Sequence, residues 1–73
     1  MHEPDVDAAA RALLTLFHRL NNQLGIILAH AELLEARAID ETSRARAAQV
    51  VSSVLEAMGT AREIRKRTAP ASL

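Results

Sequence analysis

Reactive chemistry in this chain centres on a histidine and an amide placed one helical turn apart. His18 and Asn22 are separated by four residues, so a helix would carry both side chains on one face. Gly25 lies seven residues after His18 and extends that face with bare backbone. A neutral imidazole is nucleophilic near pH 7, and an amide can donate and accept hydrogen bonds beside it. The spacing therefore indicates a nucleophilic face that a docking partner can reach.

The composition of the 73 residues limits the other possibilities. Cysteine is absent, which excludes disulfides and thiolate metal sites, and three scattered histidines do not predict a zinc site. Nine basic residues balance nine acidic ones, so the chain lacks the charge of a nucleic-acid-binding protein. Hydrophobic residues make up 49%, mainly Ala and Leu, beside only two Gly and two Pro. We expect an all-α protein that binds no cofactor or metal.

No membrane segment or export signal is expected either. The longest uncharged run, residues 20–29, is too short to span a bilayer and contains polar amides. The N-terminus is acidic and polar, unlike a signal peptide. These features predict a cytoplasmic protein.

The first half of the chain has the apolar periodicity of one long helix. The helix is predicted to start at about Ala8, after a flexible lead-in of residues 1–7. Its apolar seam alternates spacings of four and three: Leu13, Phe17, Leu20, Leu24, Ile27, Ala31 and Leu34. Five more apolar residues lie off this seam: Leu14, Leu16, Ile26, Leu28 and Leu33. A helix that is apolar over so much of its circumference packs against more than one neighbour.

The pattern lapses between Glu35 and Ser43, which predicts a turn. Asp40 is a candidate N-cap, but neither Gly nor Pro marks the turn, so one unbroken helix is the alternative. A second helix is predicted from about Glu41 to Arg67, followed by a flexible tail of residues 68–73. Its seam uses smaller residues: Ala47, Val50, Val54, Ala57, Ala61 and Ile64, flanked by Val51, Leu55 and Met58.

Two long helices joined by a short turn form an antiparallel hairpin, here over residues 8–67. A lone hairpin would leave half of each apolar face in water, and a core of this size is marginal in a monomer. Two hairpins related by a two-fold axis bury both faces. We therefore expect a homodimeric four-helix bundle.

Residues 18–27, His-Arg-Leu-Asn-Asn-Gln-Leu-Gly-Ile-Ile, resemble the H-box of bacterial sensor histidine kinases. Residues 29–34 resemble the continuation of that helix, and the dimerisation and histidine-phosphotransfer domain of these kinases is also a hairpin that dimerises into a four-helix bundle. The resemblance implies that His18 is the phosphoacceptor and that Asn22 positions a phosphoryl group or a water molecule. It also implies a regulator-docking surface formed by Asn21, Asn22, Gly25 and Ala29.

Arg19 departs from the commonest pattern of the family, which has Asp or Glu after the histidine. A guanidinium cannot serve as a base. Another subfamily has His-Arg-x-x-Asn-x-Leu, which residues 18–24 also match, and there Arg19 is a candidate to pair with a phosphoryl group. The sequence contains no glycine-rich phosphate-binding loop, so we expect no ATP binding and no self-sufficient kinase.

These features predict a phosphoacceptor and dimerisation module of two-component signalling. Its partners would be a second copy of the chain and a receiver domain, a histidine kinase or both, with Mg²⁺ held by the receiver. One alternative is a non-catalytic protein that docks on a kinase or regulator, and another is a purely structural hairpin dimer. His30 is expected to be a packing residue at the boundary of the core. The basic residues at the end of the second helix are expected to complement the helix dipole: Arg62, Arg65, Lys66 and Arg67.

Overall fold

The computed structural model describes residues 6–68 as two α-helices joined by a three-residue turn. Helix α1 spans Val6–Arg37 and helix α2 spans Glu41–Thr68. The predicted all-α hairpin is confirmed, and the alternative of one unbroken helix is wrong. Residues 6 and 7 of the predicted lead-in and Thr68 of the predicted tail are helical, whereas residues 1–5 and 69–73 lie outside the described residues.

Asp40 caps the start of α2, as its side chain and position predict. The backbone N–H of Ser43 donates to Oδ1 of Asp40 at 2.6 Å, and the N–H of Arg44 donates to the Asp40 carbonyl at 3.1 Å. Hydrogen bonds from the Ser43 backbone, and then from its side chain, lower the pKa of the Asp40 carboxyl below its ordinary value. The Arg44 guanidinium donates to the carbonyl of Ala38 at 3.0 Å, which ties the turn to the first turn of α2.

The helices meet along an inner seam, which contains the buried residues and one half-buried leucine. Its members are Phe17, Leu24 and Ala31 on α1, and Ala47, Val54 and Ala61 on α2. The turn is centred on Ile39, so residues equidistant from Ile39 in sequence lie at similar heights. Phe17 is therefore level with Ala61, and both side chains are buried between the helices.

Half of the predicted seam faces outward in the hairpin. These residues are Leu13, Leu20, Ile27, Leu34, Val50, Ala57 and Ile64, and the large ones expose between 39% and 67% of their surface. We call this set the apolar stripe. Leu14 and Leu28, which lie off the predicted seam, are half-buried. Both flanks of Phe17, Leu24 and Ala31 are apolar, so periodicity alone does not show which flank faces α2.

Residues 6–68 include no helix with the combined length and apolarity needed to cross a membrane.

Candidate functional site

His18 lies on the surface of α1, directly after the inward-facing Phe17. Successive residues of an α-helix are rotated by about 100° around its axis, so the His18 side chain points sideways, away from the inner seam. No hydrogen bond or ion pair within residues 6–68 engages its imidazole. The imidazole is therefore open to solvent and available to a partner.

Three other predicted residues share a face with His18, at the spacing of successive helical turns. Asn22 and Ala29 are exposed and Gly25 is half-buried. We call His18, Asn22, Gly25 and Ala29 the His18 face. Apart from its chain neighbours and the surrounding helix backbone, no heavy atom lies within 4 Å of a Cβ built at Gly25, and the φ of Gly25 is not positive. Packing within the hairpin therefore does not require glycine at this position.

The two remaining predicted site residues lie off this face. Asn21 comes four residues after Phe17 and is half-buried at the edge of the inner seam, so it is less accessible than Asn22. Arg19 is exposed, but adjacent helical residues do not face each other and its direction differs from that of His18 by about 100°. The pairing of Arg19 with a phosphoryl group stays a prediction that this geometry does not favour.

The His18 face and the apolar stripe lie on different sides of the hairpin. His18 comes one position after the inward-facing Phe17 and is rotated from it by about +100° around the helix axis, whereas Leu20 comes three positions after Phe17 and is rotated by about −60°. The side chains of His18 and Leu20 therefore point in directions about 160° apart. At the turn end, a depression lined by both Leu34 and Val50 shows that α1 and α2 contribute to the stripe on a common side.

Two arginines of α2 lie on the same side of the hairpin as His18. Arg62 comes one residue after the inward-facing Ala61, just as His18 comes one residue after Phe17. Because the helices are antiparallel, this rotation of about 100° turns both side chains to the same side. Arg65 comes four residues after Ala61, on the same side and nearer to α1. Both arginines are exposed. The sequence interpretation missed this placement, although the parallel between Arg62 and His18 is visible once the inner seam is known.

Among residues 6–68, no three His, Asp or Glu side chains converge on a point that could hold an ion. The groups on the His18 face are an imidazole, an amide and open backbone.

Comparison of the chain with protein-family models, with curated proteins and with solved structures yields no match in any of the three. A function is therefore inferred from the placement of the side chains, with the His18 imidazole on one side of the hairpin and the apolar stripe on the other.

Proposed function

We propose that this chain is a histidine phosphoacceptor and dimerisation module of two-component signal transduction. His18 takes a phosphoryl group from, or passes it to, an aspartate of a response-regulator receiver domain. The observation that best supports the proposal is the exposed, unengaged imidazole of His18 on a face with Asn22 and Gly25. That face lies away from the apolar stripe, so a partner can approach while the stripe is covered.

The transfer is an in-line exchange between two nucleophiles. The lone pair of an imidazole nitrogen attacks the phosphorus of the aspartyl phosphate, the new P–N bond forms, and the P–O bond to aspartate breaks as carboxylate leaves. The reverse reaction returns the phosphoryl group to the receiver. A Mg²⁺ ion held by the receiver would supply positive charge to the phosphoryl oxygens, and the Asn22 amide donates a hydrogen bond to one of them.

A second copy of the chain is the proposed partner of the apolar stripe. The exposed fractions of its six large side chains amount to roughly 500 Å² of apolar surface, at the upper end for a monomer. Two such stripes, when fully covered, bury about 1,000 Å² together, which is about the least area expected of a biological interface. The hairpin needs this support because, in the part of the chain that the structure describes, the buried residues are one Phe, one Val and three Ala. The resulting four-helix bundle leaves both His18 faces outward.

A non-catalytic docking protein is the second candidate, and Arg19 is the observation that favours it. No carboxylate within residues 6–68 hydrogen-bonds the His18 imidazole, so nothing there fixes its tautomer or takes its proton. In this alternative the His18 face binds a receiver or a histidine kinase and blocks it without accepting phosphate.

Phosphotransfer from a panel of partners separates the two candidates. The chain is mixed with receiver domains phosphorylated by a small-molecule donor, and with active histidine kinases, and acid-labile label is scored. We expect label on the wild type and on the control His30→Ala, slower labelling of Asn22→Ala, and none on His18→Ala. Binding without label across the panel would favour the docking protein. Label that persists in His18→Ala would show that the assigned acceptor is wrong.

A further inference from the structure

We propose that Arg62 and Arg65 of α2 form the phosphoryl-binding half of the His18 site. Their guanidinium groups would neutralise the phosphoryl group carried by the imidazole. This inference rests on the proposed phosphoacceptor function and adds residues from the other helix, outside the stretch that resembles the H-box.

The heights of the three residues along the hairpin bring them together. Phe17 and Ala61 are equidistant from Ile39 in sequence, so at 1.5 Å per residue His18 and Arg62 differ in height by about 3 Å, and His18 and Arg65 by about 8 Å. Packed helices lie about 8–10 Å apart, which sets each arginine Cα about 10 Å from the Cα of His18.

The directions of the side chains narrow this separation. Side chains on an α-helix lean toward the N-terminus of their own helix. Because the helices are antiparallel, Arg62 and Arg65 lean toward the turn while His18 leans toward the open end, so they approach each other. An extended arginine spans most of the remaining gap, and a phosphoryl group on the imidazole shortens it further.

Within residues 6–68, neither Arg62 nor Arg65 has a carboxylate partner. The ion pairs within residues 6–68 are Arg44–Glu41 at 3.1 Å and Arg67–Glu63 at 3.3 Å. Arg62 and Arg65 line a surface depression with Gly59, Glu63 and Lys66, and the carboxylate of Glu63 is engaged by Arg67. Two guanidinium groups three residues apart on a helix repel each other, so a phosphoryl dianion between them and His18 relieves that repulsion.

The Arg62 guanidinium lies beside the bare backbone of Gly59, with its Nη2 3.9 Å from the position of a Cβ built there. Arg19 is the arginine adjacent to His18 in sequence, but it is directed about 100° away on α1. The cations that meet a phosphoryl group on His18 therefore come from α2.

Chemical phosphorylation tests the arginine pair without any partner protein. Phosphoramidate transfers its phosphoryl group to an exposed imidazole and releases ammonia. The full chain is used with His2→Ala and His30→Ala, so that His18 is its only histidine. The phosphorus resonance of phosphorylated His18 is then followed by NMR as the pH is varied, and circular dichroism verifies the helicity of each variant.

We expect Arg62→Gln and Arg65→Gln each to raise the titration midpoint of the phosphoryl group, and the double variant to raise it by about half a pH unit, since nearby cations favour the dianion. Lys66→Gln is the control, because it removes one charge from the same helical turn but points away from α1. Equal midpoints in the parent and the double variant, or an equal shift in Lys66→Gln, would overturn the inference. Failure of phosphorylated receivers to label His18 would instead overturn the proposed function.

Discussion

Glycine at position 25 lowers the stability of the helix but suits the proposed docking of a partner. Glycine in a helix interior is less favourable than alanine by about 0.5–1 kcal/mol. Its φ is not positive, and no neighbouring atom lies within 4 Å of where a Cβ would stand, so neither conformation nor packing explains its presence. A glycine at position 25 allows the surface of a partner to come close to the helix backbone beside His18.

Gly25→Ala is predicted to stabilise the chain and to weaken docking. The free energy of unfolding should rise by about 0.5–1 kcal/mol in urea titrations at matched protein concentration. Binding to a receiver domain should weaken, because the added methyl group lies on the His18 face. Gly59→Ala is the matched control: its Cβ would lie 3.9 Å from Arg62, an ordinary contact, so it should stabilise without weakening docking. Unchanged binding of Gly25→Ala would show that partners do not approach Gly25.

At the scale of the elements, the sequence predicts both helices and the cap between them. Asp40 is recognisable as an N-cap from the amino-acid pattern alone, because its side chain suits that role and the apolar periodicity lapses there. The rotation of α1 about its own axis was not predictable, because both flanks of its inner seam are apolar. One flank contains Leu14 and Leu28, and the other contains Leu20 and Ile27. Packing against α2 selects the first flank and leaves the second outward.

The cap predicts how stability depends on pH. Folding lowers the pKa of the Asp40 carboxyl from 3.8, so its contribution to stability is present above that value and is lost as the pH falls through the folded pKa. Thermal unfolding of wild type and Asp40→Asn should therefore differ most near neutral pH, and the two should converge as the pH falls below 3.8 and through the folded pKa. A difference that stays constant over that fall in pH would show that the charged cap does not contribute.

At the scale of the whole molecule, the hairpin has two sides with different chemistry. The candidate site on α1 follows from the spacing of His18, Asn22 and Gly25, which any helix would preserve. The proposed contribution of α2 was not predictable, because it depends on the register that brings Arg62 and Arg65 to the side of His18. That register follows from the short turn, which sets Phe17 and Ala61 at similar heights.

Assembly provides a prediction at this scale. Ile27 on the apolar stripe and Leu55 on the other side expose similar fractions of their surface, 47% and 52%. We expect the wild type and Leu55→Lys to sediment as dimers, and Ile27→Lys as a monomer of reduced helicity, because a buried lysine charge at a two-fold interface is unpaired. A wild type that remains monomeric, or equal behaviour of the two lysine variants, would contradict the proposed dimer.

Phosphorus NMR of the intact chain after incubation with a phosphorylated receiver domain and Mg²⁺ tests the central claim most directly. We predict a phosphohistidine resonance in the wild type that is missing from His18→Ala, while the variant keeps the helicity and mass of the wild-type assembly. A phosphohistidine resonance in His18→Ala, or no such resonance in wild type with any receiver that binds it, would contradict the assignment of His18 as a phosphoacceptor.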